Sequence, residues 1–93
     1  MGMEEIAEKI RGRVSSASFD NSVKFDCGSD GVIVIDGSSV TTTDAPADCT
    51  ITLDRDDLSA LVSGELDPMA AFMQGKLKVS GDMSVAMQLS QVI

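Results

Sequence analysis

The spacing of apolar residues predicts an amphipathic helix at the start of the chain. These residues recur at intervals of three and four, so they share one helical face. They are Met3, Ile6, Ala7, Ile10 and Val14. Acidic side chains lie in the first turns of this segment and basic side chains towards its end, an order that suits the helix dipole.

Alternation of apolar and polar residues predicts four strands in the next part of the chain. Val23–Cys27 alternates, and after a four-residue turn the β-branched run Val32–Ile35 follows, so the two are predicted to form a hairpin. The second strand is apolar on both faces, which is typical of a strand covered on both sides. A short polar strand, Val40–Thr43, and another alternating strand, Cys49–Leu53, complete the set.

Capping residues predict two helices in the second half. Asp54 stands where it can N-cap a helix. Asp67 and Pro68 form a second start, with a capping residue followed by proline at the first helical position. This short helix is predicted to end before Gly75.

A last strand, Lys76–Ser80, and a last helix, Met83–Ile93, follow. The predicted order is therefore helix, four strands, two helices, strand, helix. Grouped strands joined by hairpins, with helices elsewhere, indicate an α+β fold with a mainly antiparallel sheet. With 93 residues, the chain is predicted to form one domain over residues 1–93.

Composition excludes several kinds of functional site. The chain has no His, which removes histidine triads, histidine metal sites and histidine proton shuttles. Cys27 and Cys49 alone cannot form a structural zinc site, and they fall in phase with apolar strand positions, as buried thiols do. We therefore expect no metal, no cofactor and no enzymatic activity.

Net charge and hydrophobicity limit the classes of binding partner and the cellular compartment that we expect. The formal charge of −8, with only seven Lys and Arg, leaves no basic face for nucleic acid. The longest apolar runs, Val32–Ile35 and Met69–Met73, are far below the ~20 residues of a membrane span, so stable insertion is not expected. An acidic N-terminus without a signal peptide, and a C-terminus without a peroxisomal tag, predict a cytoplasmic protein.

The last predicted helix suggests a hydrophobic ligand. It carries no charge, and apolar residues cover more than one of its faces. Four of the six methionines, Met69, Met73, Met83 and Met87, fall in this half of the chain. Because methionine adapts to irregular apolar shapes, a void lined by these side chains could accept a flexible hydrocarbon chain. The same pattern is also typical of an ordinary core or of a dimer face.

Two stretches, Ala47–Ile51 and Gly64–Met87, resemble the sterol carrier protein 2 family of nonspecific lipid-transfer domains. The most specific string is Phe72–Gly81. The resemblance implies a five-stranded sheet with helices on one side, enclosing an apolar tunnel. It also implies a non-catalytic carrier of fatty acids, acyl thioesters, phospholipids, isoprenoids or sterols. The short ends favour a small, stand-alone member of bacterial type.

Carried onto this sequence, the resemblance implies a set of residues that line the tunnel. From the short helix and the last helix they are Phe72, Met73, Gln74, Met83, Ala86 and Met87, and from the strands Ile33, Ile35 and Ile51. The amide of Gln74 could hydrogen-bond a lipid head, since it both donates and accepts. Lys76 and Lys78 are interpreted as a solvated strand face.

These observations predict a lipid-binding carrier, with a monomer favoured. Each buried CH₂ contributes roughly 0.8 kcal/mol, so useful affinity needs no specific polar contact, and headgroup choice is expected to be weak. The alternative is an accessory module for protein–protein interaction, in lipid or quinone metabolism, whose pocket is vestigial or filled by its own side chains. In that case the last helix would bind a partner or a second copy.

Overall fold

A computed structural model describes residues 2–15, 21–37 and 39–92, and within these ranges the predicted order of elements is confirmed. The elements are α1 (Met3–Ser15), β1 (Ser22–Asp26), β2 (Val32–Asp36), β3 (Ser39–Thr41), β4 (Cys49–Thr52), α2 (Arg55–Val62), α3 (Pro68–Met73), β5 (Lys78–Gly81) and α4 (Met83–Val92). A single 3₁₀ turn, Gly28–Asp30, joins β1 to β2. The last helix was predicted to reach Ile93, which lies outside the described residues.

The five strands form one mixed sheet in the order β3-β2-β1-β4-β5. Three neighbouring pairs are antiparallel, as predicted, but β1 and β4 are parallel, with Val23 opposite Cys49. The prediction of a mainly antiparallel sheet is therefore confirmed, and the one parallel pair makes the sheet mixed. The cause is topological, because the chain leaves β3 at one edge and re-enters the sheet on the far side of β1.

One face of the sheet carries the core. Alternate residues such as Phe25, Ile33 and Ile51 point to this face and pack with the apolar sides of the helices in a single cluster. Helix α1 contacts β2 and β3, whereas α4 contacts β1, β4 and β5. The two helices thus cover different parts of the inner face. Which helix covers a strand residue determines which space that residue can line.

Two arginines connect α1 to its neighbours. The Arg11 guanidinium donates to the carbonyl of Val40 on β3 at 2.8 Å, and the Arg13 guanidinium donates to the carbonyl of Val62 at 2.7 Å. The second bond reaches the C-terminal end of α2, where helix carbonyls lack partners within the helix. Helix α1 is therefore held both to the sheet edge and to α2.

The outer face of the sheet is crossed by the loop between β3 and β4. The Lys24 ammonium on this face pairs with the Asp44 carboxylate of the loop at 2.7 Å, and both this hydrogen bond and the charge of Lys24 lower the pKa of Asp44. Val34, opposite Lys24 in the neighbouring strand, is buried although it points away from the helices. The expectation that this strand is covered on both faces is confirmed at its centre.

The two predicted caps differ in the structure, and this predicts different effects of mutation. The Asp67 carboxylate accepts from the Met69 backbone N–H at 2.9 Å, whereas Asp54 occupies the N-cap of α2 without a side-chain hydrogen bond. We expect Asp67→Ala to destabilise the protein by about 1 kcal/mol. The matched change Asp54→Ala should have less than half of that effect. Urea unfolding followed by circular dichroism tests this, and equal effects would contradict it.

Candidate functional site

An apolar cavity of about 150 Å³ lies between the inner face of the sheet and helices α3 and α4. All of the lining side chains that the structure describes are hydrophobic. They are Phe25, Ile51, Leu61, Pro68, Met69, Phe72, Leu77, Val79, Met83, Ala86, Met87 and Leu89. Because no charged side chain, and no side chain with an N–H or O–H donor, is in this set, the described lining offers shape and hydrophobicity as the means of selection.

The floor of the cavity is formed by three adjacent strands. Phe25 on β1 lies opposite Ile51 on β4, and Ile51 lies opposite Val79 on β5. Phe25 is 1% exposed and is among the largest fully buried side chains of the described residues. Since interiors are close-packed and core side chains keep fixed rotamers, this floor is the rigid part of the site.

The last helix forms the roof. Ala86 and Met87 follow Met83 by three and four residues, and this spacing places all three on one face of α4 above the floor. The Gln88 side chain of α4 accepts a hydrogen bond from the Asn21 amide at 2.8 Å. This bond joins the helix to the start of β1 outside the cavity.

The start of α4 depends on a close backbone contact at Gly81. This residue has φ of +102°, and a Cβ atom added there would lie 2.5 Å from the carbonyl oxygen of Asp48. The same carbonyl accepts from the Asp82 backbone N–H at 3.2 Å, and the Asp82 carboxylate accepts from the Ser84 N–H at 2.9 Å. Gly81 therefore lets β5 turn into the roof helix while staying against β4.

The short helix α3 and the turn after it form the side wall. Gly75, with φ of +76°, reverses the chain, and the Lys76 backbone N–H donates to the Ala71 carbonyl at 2.9 Å. This turn brings Leu77 into the cavity lining while Lys76 stays exposed. The expected alternation of apolar and charged residues at this strand is thus present, with Lys78 exposed as well.

Four lining residues also face solvent and form the mouth of the cavity. They are Met69, Phe72, Met83 and Met87, whose exposed fractions lie between 44% and 60%. Three of the four are methionines, which are flexible and unbranched. The cavity therefore has a rigid floor and a flexible, methionine-rich mouth that is open to solvent.

The structure brings five of the nine predicted site residues together. Ile51, Phe72, Met83, Ala86 and Met87 all line the cavity. Their role in ligand binding stays a prediction.

The other four predicted residues lie outside the lining. Ile33 and Ile35 are fully buried in β2, on the part of the sheet that α1 covers. Met73 is 82% exposed and ends α3, and Gln74 follows it with an exposed side chain. The Gln74 backbone N–H donates to the Ala70 carbonyl at 2.9 Å, which closes the helix.

Seven lining residues are absent from the predicted set of site residues, although Met69 is among the methionines that the sequence suggested as lining a void. They are Phe25, Leu61, Pro68, Met69, Leu77, Val79 and Leu89. Phe25 and Val79 share the inward strand phase of Ile51, so alternation marks them as buried. What the pattern does not show is that β1, β4 and β5 are neighbours under α4.

The ionisable groups of shifted pKa lie outside this cavity. Burial, together with the charges of Asp30, Asp26 and Asp54, raises the pKa of the Cys27 thiol to about 11, and burial raises the pKa of Cys49. Among residues 2–15, 21–37 and 39–92, no three His, Cys, Asp or Glu side chains come close enough to hold a metal ion. The chemistry available at the cavity is therefore apolar contact.

The two thiols are predicted to react slowly with alkylating agents. Both are buried, and their raised pKa values leave little thiolate at pH 8. They also cannot form a disulfide with each other, because the β1–β4 register places them roughly 13 Å apart. We expect iodoacetamide to modify the native protein at least about tenfold more slowly than the urea-unfolded protein. Equal rates, measured by mass spectrometry, would contradict this.

The mixed sheet, with helices over one face and an apolar cavity between the two, defines the structural class of this α+β domain. Residues 3–93 match the model of the SCP-2 sterol transfer family, and the chain belongs to that family. It is 50% identical to chicken (Gallus gallus) sterol carrier protein 2 over 56 residues, which are 60% of this chain and 10% of the relative. The chain thus spans about a tenth of the length of the curated sterol carrier relatives it matches.

Solved structures share the fold. The crystal structure of sterol carrier protein 2 like 2 from Aedes aegypti superposes with a TM-score of 0.80 at 27% identity, over 97% of this chain and 94% of that one. A solution structure of the same mosquito protein is of its palmitated form, with the same score and identity over 99% and 94% of the two chains. The ubiquinone synthesis protein UbiJ-SCP2 shares the fold alone, with 18% identity and a TM-score of 0.62 over 89% and 73%.

The helices of the described ranges are all too short or too polar to cross a membrane. The longest, α1, has 13 residues and carries several charges. The structure therefore offers no helical transmembrane anchor within residues 2–15, 21–37 and 39–92.

Proposed function

We propose that this protein binds lipids with a single acyl chain in the cavity between the sheet and α4, and carries them without chemical change. The observation that carries the proposal is a lining whose described side chains are all hydrophobic and which is open to solvent at a methionine-rich mouth. The palmitated structure of the Aedes aegypti relative supports the choice of an acyl chain.

The size of the cavity indicates how such a ligand would be held. A void of about 150 Å³ holds a benzene-sized molecule. The end of an acyl chain would therefore occupy the space above Phe25 and Ile51, and the remaining carbons would lie among Met69, Met83 and Met87. These side chains have to move aside, which methionine can do at little cost in packing.

The absence of polar groups from the lining indicates weak headgroup selection. A carboxylate or ester head would lie at the solvent-exposed mouth, because burying a charge without a partner costs far more than the chain contacts there can offset. Affinity is then expected to rise with the number of buried CH₂ groups, each contributing roughly 0.8 kcal/mol before ordering costs. No catalytic step is proposed, since the lining carries no ionisable or nucleophilic side chain.

Native mass spectrometry of the purified protein with palmitate tests the proposal. We expect a stoichiometric complex for the wild type and none for Ala86→Phe, whose ring would fill the space between roof and floor. Met73→Phe is the matched control, because it adds a similar ring at an exposed position outside the lining. Circular dichroism has to show that both variants are folded. Wild-type protein without uptake, or a folded Ala86→Phe that binds as well as wild type, would contradict the proposal.

The exposed mouth also favours a second candidate function, the accessory module that interacts with other proteins. Exposed hydrophobic groups clustered at one place commonly mark an interaction site, and Met69, Phe72, Met83 and Met87 form such a cluster. A purified protein that takes up no lipid but has twice the mass of one chain in solution would support this function. Loss of the dimer in Met87→Lys would locate the interface at the mouth.

A further inference from the structure

Methionine sulfur lies at the boundary between the cavity and solvent. Met69, Met83 and Met87 line the cavity and are 55%, 47% and 60% exposed. Met73, the last residue of α3, is more exposed still, but it is not among the lining residues. An oxidant in solution can therefore reach three side chains that a bound acyl chain would also touch.

We propose that Met69, Met83 and Met87 are a peroxide-sensitive modification site whose oxidation to sulfoxides releases the lipid and prevents reloading. The inference rests on the proposed function and concerns the regulation of the same cavity. In the reaction, a thioether lone pair attacks one peroxide oxygen, the O–O bond breaks and an S–O bond forms. The second oxygen leaves as hydroxide and takes the proton of the new S–OH group, so that the products are a sulfoxide and one molecule of water. Sulfur is oxidised by two electrons and the peroxide is reduced by two.

The surroundings of these residues explain why oxidation would weaken binding. A sulfoxide oxygen is a strong hydrogen-bond acceptor, and the described lining side chains, all of them hydrophobic, include no hydrogen-bond donor. An acyl chain that covers the mouth would have to strip water from this oxygen without replacing its hydrogen bonds, which is unfavourable. Oxidation also replaces the flexible apolar thioether by a polar, chiral group that fits the chain less well.

The two cysteines are poor competitors for the oxidant. Cys27 and Cys49 are buried, and burial raises the pKa of both thiols, so little of the reactive thiolate is present at neutral pH. Peroxide at low dose is therefore directed to the exposed methionines. A variant that keeps both cysteines and lacks only the three methionines separates the two kinds of site.

The experiment compares binding of a dansyl-labelled C11 fatty acid before and after limited hydrogen peroxide treatment, with catalase added before titration. Peptide mass mapping locates each sulfoxide through its mass increase of about 16 Da. We expect wild-type affinity to fall about tenfold or more, equivalent to about 1.4 kcal/mol. The triple variant Met69→Leu, Met83→Leu and Met87→Leu should change less than about twofold on treatment, because its rim stays apolar.

Two further measurements show whether the loss of affinity is due to sulfoxides at the three mouth methionines. Met73→Leu is the matched control and should lose as much affinity on oxidation as wild type, although it lacks the most exposed of the four methionines. Reduction of the oxidised wild type by methionine sulfoxide reductases should restore binding. This second measurement needs no variant, so it decides the question even where the triple variant folds poorly.

The outcomes distinguish this inference from the proposed function. Failure of the untreated protein to bind the probe would overturn the proposed function and the inference with it. Unchanged affinity in a treated, folded protein with sulfoxides mapped at the three mouth methionines would overturn the inference alone. So would an equal loss of affinity in the triple variant, or a loss that persists after the sulfoxides have been reduced.

Discussion

Replacing Gly81 with alanine is expected to destabilise the protein by about 3 kcal/mol or more, through two effects at one position. The backbone φ of +102° lies in a region that residues with a side chain rarely adopt, at a cost of roughly 1–3 kcal/mol. The new Cβ would also lie 2.5 Å from the Asp48 carbonyl oxygen and 3.2 Å from the Cys49 Cα, both backbone atoms. Relief requires β5 to move away from β4. Urea unfolding followed by circular dichroism measures the change.

Gly64→Ala is the matched control for Gly81→Ala. Gly64 has φ of +79° but no atom within 4 Å of the added Cβ, so only the backbone effect applies and about 1 kcal/mol is expected. Gly81→Ala should also weaken lipid binding, because the displaced carbonyl no longer anchors Asp82 and with it the start of α4. Equal stability losses at the two glycines would show that the contact with Asp48 is unimportant.

Phe25→Ala is expected to cost about 3–5 kcal/mol of stability, the usual range for a large buried aromatic side chain. Phe25 is 1% exposed, belongs to the core and forms part of the cavity floor. Its removal would enlarge the cavity beneath the roof helix at the expense of packing. Thermal and urea unfolding measure the loss, and a variant within about 1 kcal/mol of wild type would show that the floor is not close-packed.

Phe72→Ala provides the contrast, because this ring also lines the cavity but is 44% exposed at the mouth. We expect a loss of stability of about 1 kcal/mol, set by the smaller area that it buries. Palmitate affinity, in contrast, should fall several-fold in Phe72→Ala at conditions where the variant is fully folded. If stability and affinity fall together in both variants, the mouth and the floor do not have separate roles.

The local elements could be predicted from the sequence because their signals are local. Asp67 followed by Pro68 marks the start of α3, and Gly75 marks the turn after it, since capping and positive φ depend on neighbouring residues only. The spacing of methionines on α4 similarly identifies the side chains that form the roof.

The lateral order of the strands could not be predicted in this way. The hydrophobic pattern marks Ile33, Ile35 and Ile51 as buried strand residues, but it contains no information on which strand lies under which helix. Ile33 and Ile35 lie in β2, which α1 covers, so they are core residues away from the cavity. The parallel pairing of β1 with β4 brings Phe25 beside Ile51, and only the assembled sheet reveals that contact.

On the proposed function, the parallel pairing of β1 with β4 links lipid binding to the lifetime of the protein. The two strands of the cavity floor are distant in sequence, and they meet only after the loop at Asp44 has crossed the outer face. A partly unfolded chain without the β1–β4 contact has no floor and nothing to hold a lipid. Ligand at 100 times its Kd would then stabilise the native state by about 2.7 kcal/mol and lower the population open to proteases by about a hundredfold. On the proposed function, the empty form would be degraded before the loaded form, and the amount of this protein in a cell would follow the supply of its lipid.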